Sequence, residues 1–105
     1  MDTAKTIIYN TIAAASKDQP AGREILTAKT GLGERAVRGV IEDLREQGVR
    51  VCGLSKGKGY WIAANENEYQ AFRADYISKA KTIFRRTHAM DGTELDGQVS
   101  IYDAL

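Results

Sequence analysis

The side chains able to do covalent or acid–base chemistry are few in this 105-residue chain, and each stands alone. There is one cysteine, Cys52, and one histidine, His88. With no second Cys, Cys52 can form neither an internal disulfide nor a zinc site of the usual spacing; it reads as a small buried apolar side chain in a reducing compartment. His88 falls near the end of a helical pattern, where the helix dipole favours a cation, so a solvated or capping role is expected of it. Gly57-Lys58-Gly59 lacks the glycine run, the Lys-Ser/Thr pair and the following helix of a phosphate loop. No nucleophile has an evident base beside it, and the acid–base, metal and triad templates all fail. The expectation is therefore a protein that is not an enzyme and uses no metal or cofactor. What remains is binding chemistry, and its carrier is charge.

Fifteen Lys and Arg stand against 14 Asp and Glu, so the chain is nearly neutral and is not a strongly basic tail binder. The charge is unevenly placed. Residues 1–64 carry a net +3, residues 65–90 a net +2, and residues 91–105 a net −4 with no basic side chain. A mildly basic body followed by a short acidic tail often separates a nucleic-acid-facing domain from an interaction segment.

The elements that must position these charges follow from periodicity. A hydrophobic content of 43% supports one modest core. The longest apolar run is far short of the roughly 20 residues of a membrane span, and Met1-Asp2-Thr3 is not a basic signal-peptide start; a soluble cytoplasmic protein is expected. Residues 3–15 place Ile8, Ile12 and Ala15 at helical spacing. Residues 16–22, with the only proline, break the chain before a second helix from about Arg23. That helix ends near Thr30, where Gly31 suits a left-handed closing turn.

A third helix over residues 34–47 carries the apolar stripe Val37, Val40, Ile41 and Leu44. Opposite it lie Arg35, Gly39, Glu42 and Glu46, with Arg38 on the shoulder. Residues 49–53 and 59–63 read as two strands joined by the basic tip Leu54-Ser55-Lys56-Gly57-Lys58. From Glu66 to about Met90 the helix period returns, with Tyr69, Phe72, Tyr76, Ala80, Ile83, Thr87 and Met90 forming almost a heptad seam. Asp91-Gly92 stops it. The fold class expected is mainly α with a small β-hairpin (α+β). Its parts are a body over residues 1–64, a long amphipathic helix over 65–90 that packs on the body or on a second copy as a homodimer, and a flexible acidic tail over 91–105. Arg73, Lys79, Lys81, Arg85 and Arg86 read as a solvated helix face or as an additional phosphate track.

Residues 3–64 as a whole resemble a winged helix-turn-helix. The segment from Arg23 to Leu44 resembles its two-helix motif, with Gly31 at the turn and Leu26, Leu32, Val37 and Val40 at the packing positions. Residues 47–52 and Gly57-Lys58-Gly59-Tyr60-Trp61 resemble the wing of the biotin-repressor-like group. Thr27 departs from the smaller Ala usual there, and Gly22 and Gly33 stand where Ser or Thr usually caps, a difference of only a few tenths of a kcal/mol. The resemblance implies binding of double-stranded DNA, with the third helix entering a major groove about 12 Å wide by its N-terminal end. Arg35 and Arg38 would then read base edges, and Gly39 would let the backbone approach closely. Lys29, Lys56 and Lys58 would hold phosphates, with Arg50 a further candidate. The plain alternative is that Arg35 and Arg38 are solvated charges, with Glu42 and Glu46 beside them repelling phosphate.

In the tail, Gln98-Val99-Ser100-Ile101-Tyr102 resembles the short motif by which bacterial replication and repair proteins dock on the sliding clamp. Gln98 and Ser100 match outright, Val99 and Ile101 are aliphatic substitutes, and Tyr102 replaces the final Phe. Ile101 and Tyr102 would fill an apolar pocket while Gln98 hydrogen-bonds at its rim. Alternatively Val99, Ile101 and Tyr102 form an edge strand or fold back on the body. Together the two resemblances suggest a small phage or prophage protein of replication or transcription control, nucleoid-associated or acting in an infected bacterial cell. The rivals are a repressor whose tail is incidental, and an adaptor or inhibitor that engages a host protein without touching DNA.

Overall fold

The helical spacings in the sequence become four helices and the β-type runs a short hairpin. The computed structural model describes residues 3–53 and 59–92. In chain order these form α1 (Thr3–Ala13), α2 (Arg23–Thr30), α3 (Glu34–Glu46), β1 (Val51–Gly53), β2 (Tyr60–Ile62) and α4 (Glu66–Asp91). The protein is mainly helical, with one antiparallel two-stranded hairpin and a long C-terminal helix. Two compact units divide the chain, Met1–Tyr69 and Gln70–Leu105. Among the described residues, no helix is long and apolar enough to cross a membrane.

The core of the first unit follows from the apolar stripes. Ile8 and Ile12 of α1, Leu26 of α2, Val37, Ile41 and Leu44 of α3, and Val51 of β1 are buried together with Ala21. Each such aliphatic side chain, taken wholly out of water, contributes about 1.5 to 3 kcal/mol. Leu32, Val40, Val49 and Ile62 pack around them half-buried. Cys52 is fully buried, as its apolar reading requires. Burial pushes its thiol pKa up, the Glu68 charge adds to the shift, and the thiol stays protonated at neutral pH.

Backbone hydrogen bonds shape the turns. The Gly31 N–H donates to the Thr27 carbonyl at 2.8 Å, and Gly31 itself adopts φ 72°, ψ 4°, the left-handed closure expected from its place after α2. Thr30 completes the turn: its hydroxyl donates to the Leu26 carbonyl (2.7 Å) and accepts from the Leu32 N–H (3.2 Å). Gly22 and Gly33 precede α2 and α3 in extended conformation, and neither helix has a side-chain cap. At the far end of α3, the Gly48 N–H donates to Arg45 and the Val49 N–H to Leu44, which delivers the chain into β1.

The hairpin pairs Val51 with Ile62, Cys52 with Trp61 and Gly53 with Tyr60. Its strands are shorter than the β-type runs in the sequence. A third edge was not expected. Ala21, in the segment between α1 and α2, bridges Tyr60 by a reciprocal pair of hydrogen bonds, Ala21 N–H to Tyr60 O at 2.8 Å and Tyr60 N–H to Ala21 O at 2.9 Å. The connection that reads as a simple chain break is therefore pinned to the hairpin.

Candidate nucleic-acid interface

The amphipathic pattern of α3 decides which of its side chains meet solvent. With Val37, Ile41 and Leu44 turned into the core, Glu34, Arg35, Arg38, Gly39, Glu42 and Glu46 are exposed. Arg35 and Arg38 are three residues apart and so neighbours on the first turns of the helix. Lys29, exposed in the last turn of α2, precedes the Gly31 turn into α3. Lys29, Arg35 and Arg38 take part in no side-chain hydrogen bond or ion pair among the described residues. Along the exposed face Glu34 is followed by Arg35 and Arg38, and these by Glu42, Asp43 and Glu46.

Two other cations of this unit are committed elsewhere. The Arg45 Nε–H donates to the Val51 carbonyl at 3.0 Å and ties α3 to β1. Arg50 pairs with Glu66 through Nη1 and lies over the Tyr69 ring, its guanidinium carbon 4.1 Å from the ring centre. The Glu66 hydrogen bond is the main cause holding its pKa above the ordinary arginine value. Arg50 accordingly joins the segment before β1 to the first turn of α4.

Gly39 lies in the interior of α3, where glycine weakens a helix. A methyl group added there would meet nothing within 4 Å. Nothing in the fold therefore requires glycine at this position. Gly39→Ala is expected to stabilise the protein by about 0.5 to 1 kcal/mol, read by thermal unfolding. If a ligand surface approaches the α3 backbone here, the same substitution should weaken ligand binding. A raised melting temperature with unaltered binding would remove Gly39 from the interface.

The sequence reading missed one device that supports this unit. Asn65 Oδ1 accepts the Glu68 N–H (2.9 Å), while Glu68 Oε1 accepts both the Trp61 Nε1–H (2.9 Å) and the Ala64 N–H (3.2 Å). A helix cap is thereby joined to the buried indole of β2. The Asn-x-x-Glu spacing of a capping box was the available signal.

Lys56 and Lys58 of the hairpin tip, and Gln98, Val99, Ser100, Ile101 and Tyr102 of the tail, lie outside the described residues. His88 is exposed near the end of α4. Among the described residues no group of three His, Cys, Asp or Glu is placed to hold a metal ion. No family model, curated protein or solved structure matches the chain.

Proposed function

We propose that this protein binds double-stranded DNA as a winged helix, with α3 as the recognition helix. The reading is carried by Arg35 and Arg38, two exposed guanidinium groups on the leading turns of α3 with no partner among the described residues. The order helix, Ala21 bridge, helix, left-handed turn, helix, hairpin supports it. So does the placing of Glu42, Asp43 and Glu46 in the C-terminal half of α3, away from Arg35 and Arg38. From Arg35 to Glu46 is about 16 Å of helix, longer than the roughly 12 Å width of the major groove. A helix that enters by its N-terminal end keeps Glu42 and Glu46 away from phosphate. Lys29 and the tip lysines Lys56 and Lys58 then hold the backbone without reading sequence.

In the same reading, Gln98 to Tyr102 dock the DNA-bound domain on a sliding clamp encircling the same duplex, raising effective concentration without a strong single contact. The setting is replication or transcription control in a phage or prophage.

The test is fluorescence anisotropy with random duplex DNA at two salt concentrations, with the clamp added in a parallel series. Salt-sensitive binding, tightened by the clamp, is expected. Lys56→Ala with Lys58→Ala should weaken binding about equally on all sequences and lower the salt slope by about one per lysine removed. Absence of DNA binding at low salt would overturn the reading and favour the protein-binding adaptor.

A further inference from the structure

The exposed face of α3 carries charged groups of two opposite hydrogen-bonding kinds. At about 100° per residue, Arg35, Arg38 and Glu42 fall within a sector of about 60°, on the side turned away from Val37, Ile41 and Leu44. Glu42 is exposed and, like the two arginines, takes part in no side-chain hydrogen bond or ion pair among the described residues. Arg38 stands four residues before it, at the spacing of a helix ion pair. Arginine ahead of glutamate is the less favourable order, and the pair is not formed. Glu42 therefore does nothing for the fold. Gly39 lies beside this sector and leaves open space there.

Position along the helix separates Glu42 from the other carboxylates of α3. Arg35 to Glu42 is about 10 Å of helix, inside the roughly 12 Å width of a major groove, whereas Glu46 falls beyond it. Glu34 and Asp43 lie on the two flanks, each about 100° round from its neighbour in the sector. On the DNA-binding reading, Glu42 is the carboxylate that enters the groove with the arginines.

A carboxylate that has given up water in the groove needs a donor, since when ionised it only accepts. Guanine presents two acceptors in the major groove, and thymine an acceptor and a methyl group. Adenine has a donor, N6, but its own N7 acceptor lies beside it and would meet the carboxylate oxygens. Cytosine alone presents a donor, N4, with no acceptor on the same base. The guanidinium groups are the reverse case: they only donate, and the N7 and O6 of guanine suit them. Over guanine or thymine, Glu42 would set oxygen against oxygen, so the group that selects cytosine also rejects the wrong base.

We infer that Glu42 is a specificity-determining residue that accepts a hydrogen bond from cytosine N4, so that the target duplex carries guanine opposite Arg35 and Arg38 and cytosine opposite Glu42. The inference rests on the DNA-binding reading above and deepens it by naming the bases the face accepts.

The test is selection of binding sites from duplexes of randomised sequence, by the full chain and by its Glu42→Gln and Glu42→Ala variants. The native protein should select guanines together with a cytosine at one fixed position. Glu42→Gln should exchange that cytosine for adenine, because Gln pairs with both N6 and N7 of adenine. Glu42→Ala should keep the guanines and lower the preference for cytosine by about tenfold. Both variants should melt as the native protein does, since the side chain is exposed and unpaired. Selection of the same sequences by the native protein and by Glu42→Gln would overturn the inference. So would a Glu42→Ala variant that binds every sequence more tightly with its preference unchanged, the mark of a carboxylate that only repels phosphate. Guanines that vanish in Arg35→Ala/Arg38→Ala, beside Glu42 variants that alter nothing, would strike the cytosine contact alone. No selection and no binding by the native protein at low salt would remove the DNA-binding reading with it.

Discussion

Replacing Gly59 with alanine should destabilise the protein by about 3 kcal/mol or more, a large share of the roughly 5 to 15 kcal/mol that holds a small domain folded. The residue precedes β2 with φ 153°, a conformation that side chains rarely adopt. A Cβ there would run into the Ala21 carbonyl group and the Gly22 nitrogen. Both obstacles are backbone and cannot swing away as a flexible side chain would. The adjacent Tyr60 makes the two hydrogen bonds to Ala21, so relief of the clash must pull the hairpin from the segment between α1 and α2. The only tryptophan, Trp61, is buried in the same strand, and its fluorescence follows the unfolding in denaturant directly. Gly31→Ala is the control. It has positive φ but nothing within 4 Å of the added methyl, so its cost should be the left-handed penalty alone, about 1 to 2 kcal/mol. If Gly59→Ala proves no worse than Gly31→Ala, the close approach of Gly59 to Ala21 is wrong.

That contrast also marks what the chain reveals before its structure is known. The stripe Val37, Ile41, Leu44 and the Gly31 closure were legible because side-chain period and glycine placement carry helices and their ends. The bond between Ala21 and Tyr60 was not, since it is made by backbone groups that every residue possesses. Arg50 reads as one more solvent cation because its partner Glu66 lies 16 residues away, and no local spacing announces a pair of that kind. Glu68 was legible in principle, as the last member of an Asn-x-x-Glu cap. Its second role, accepting from the Trp61 indole, depends on the hairpin being in place. For the candidate interface, helical period alone placed Arg35, Arg38 and Gly39 on the exposed face. Which cations remain uncommitted required the contacts of Arg45 and Arg50.

From that division of the cations follows the second large effect. Arg35→Ala with Arg38→Ala should weaken binding to a selected duplex by about 2 to 6 kcal/mol together, on the order of 30-fold at the least. Each arginine can donate two parallel hydrogen bonds to one guanine, and its loss also leaves the base edge unpaired. Neither side chain touches the fold, so the melting temperature should stay within the range of ordinary surface changes. Arg50→Ala gives the opposite profile. Its guanidinium is engaged by Glu66 and Tyr69, so its removal should loosen the junction with α4 and leave DNA affinity nearly intact. Anisotropy and thermal unfolding on all three proteins separate these outcomes. Equal loss of affinity from Arg50→Ala and from the double variant would mean that net charge, rather than the exposed end of α3, holds the nucleic acid. Unchanged affinity in the double variant would remove α3 from the interface altogether.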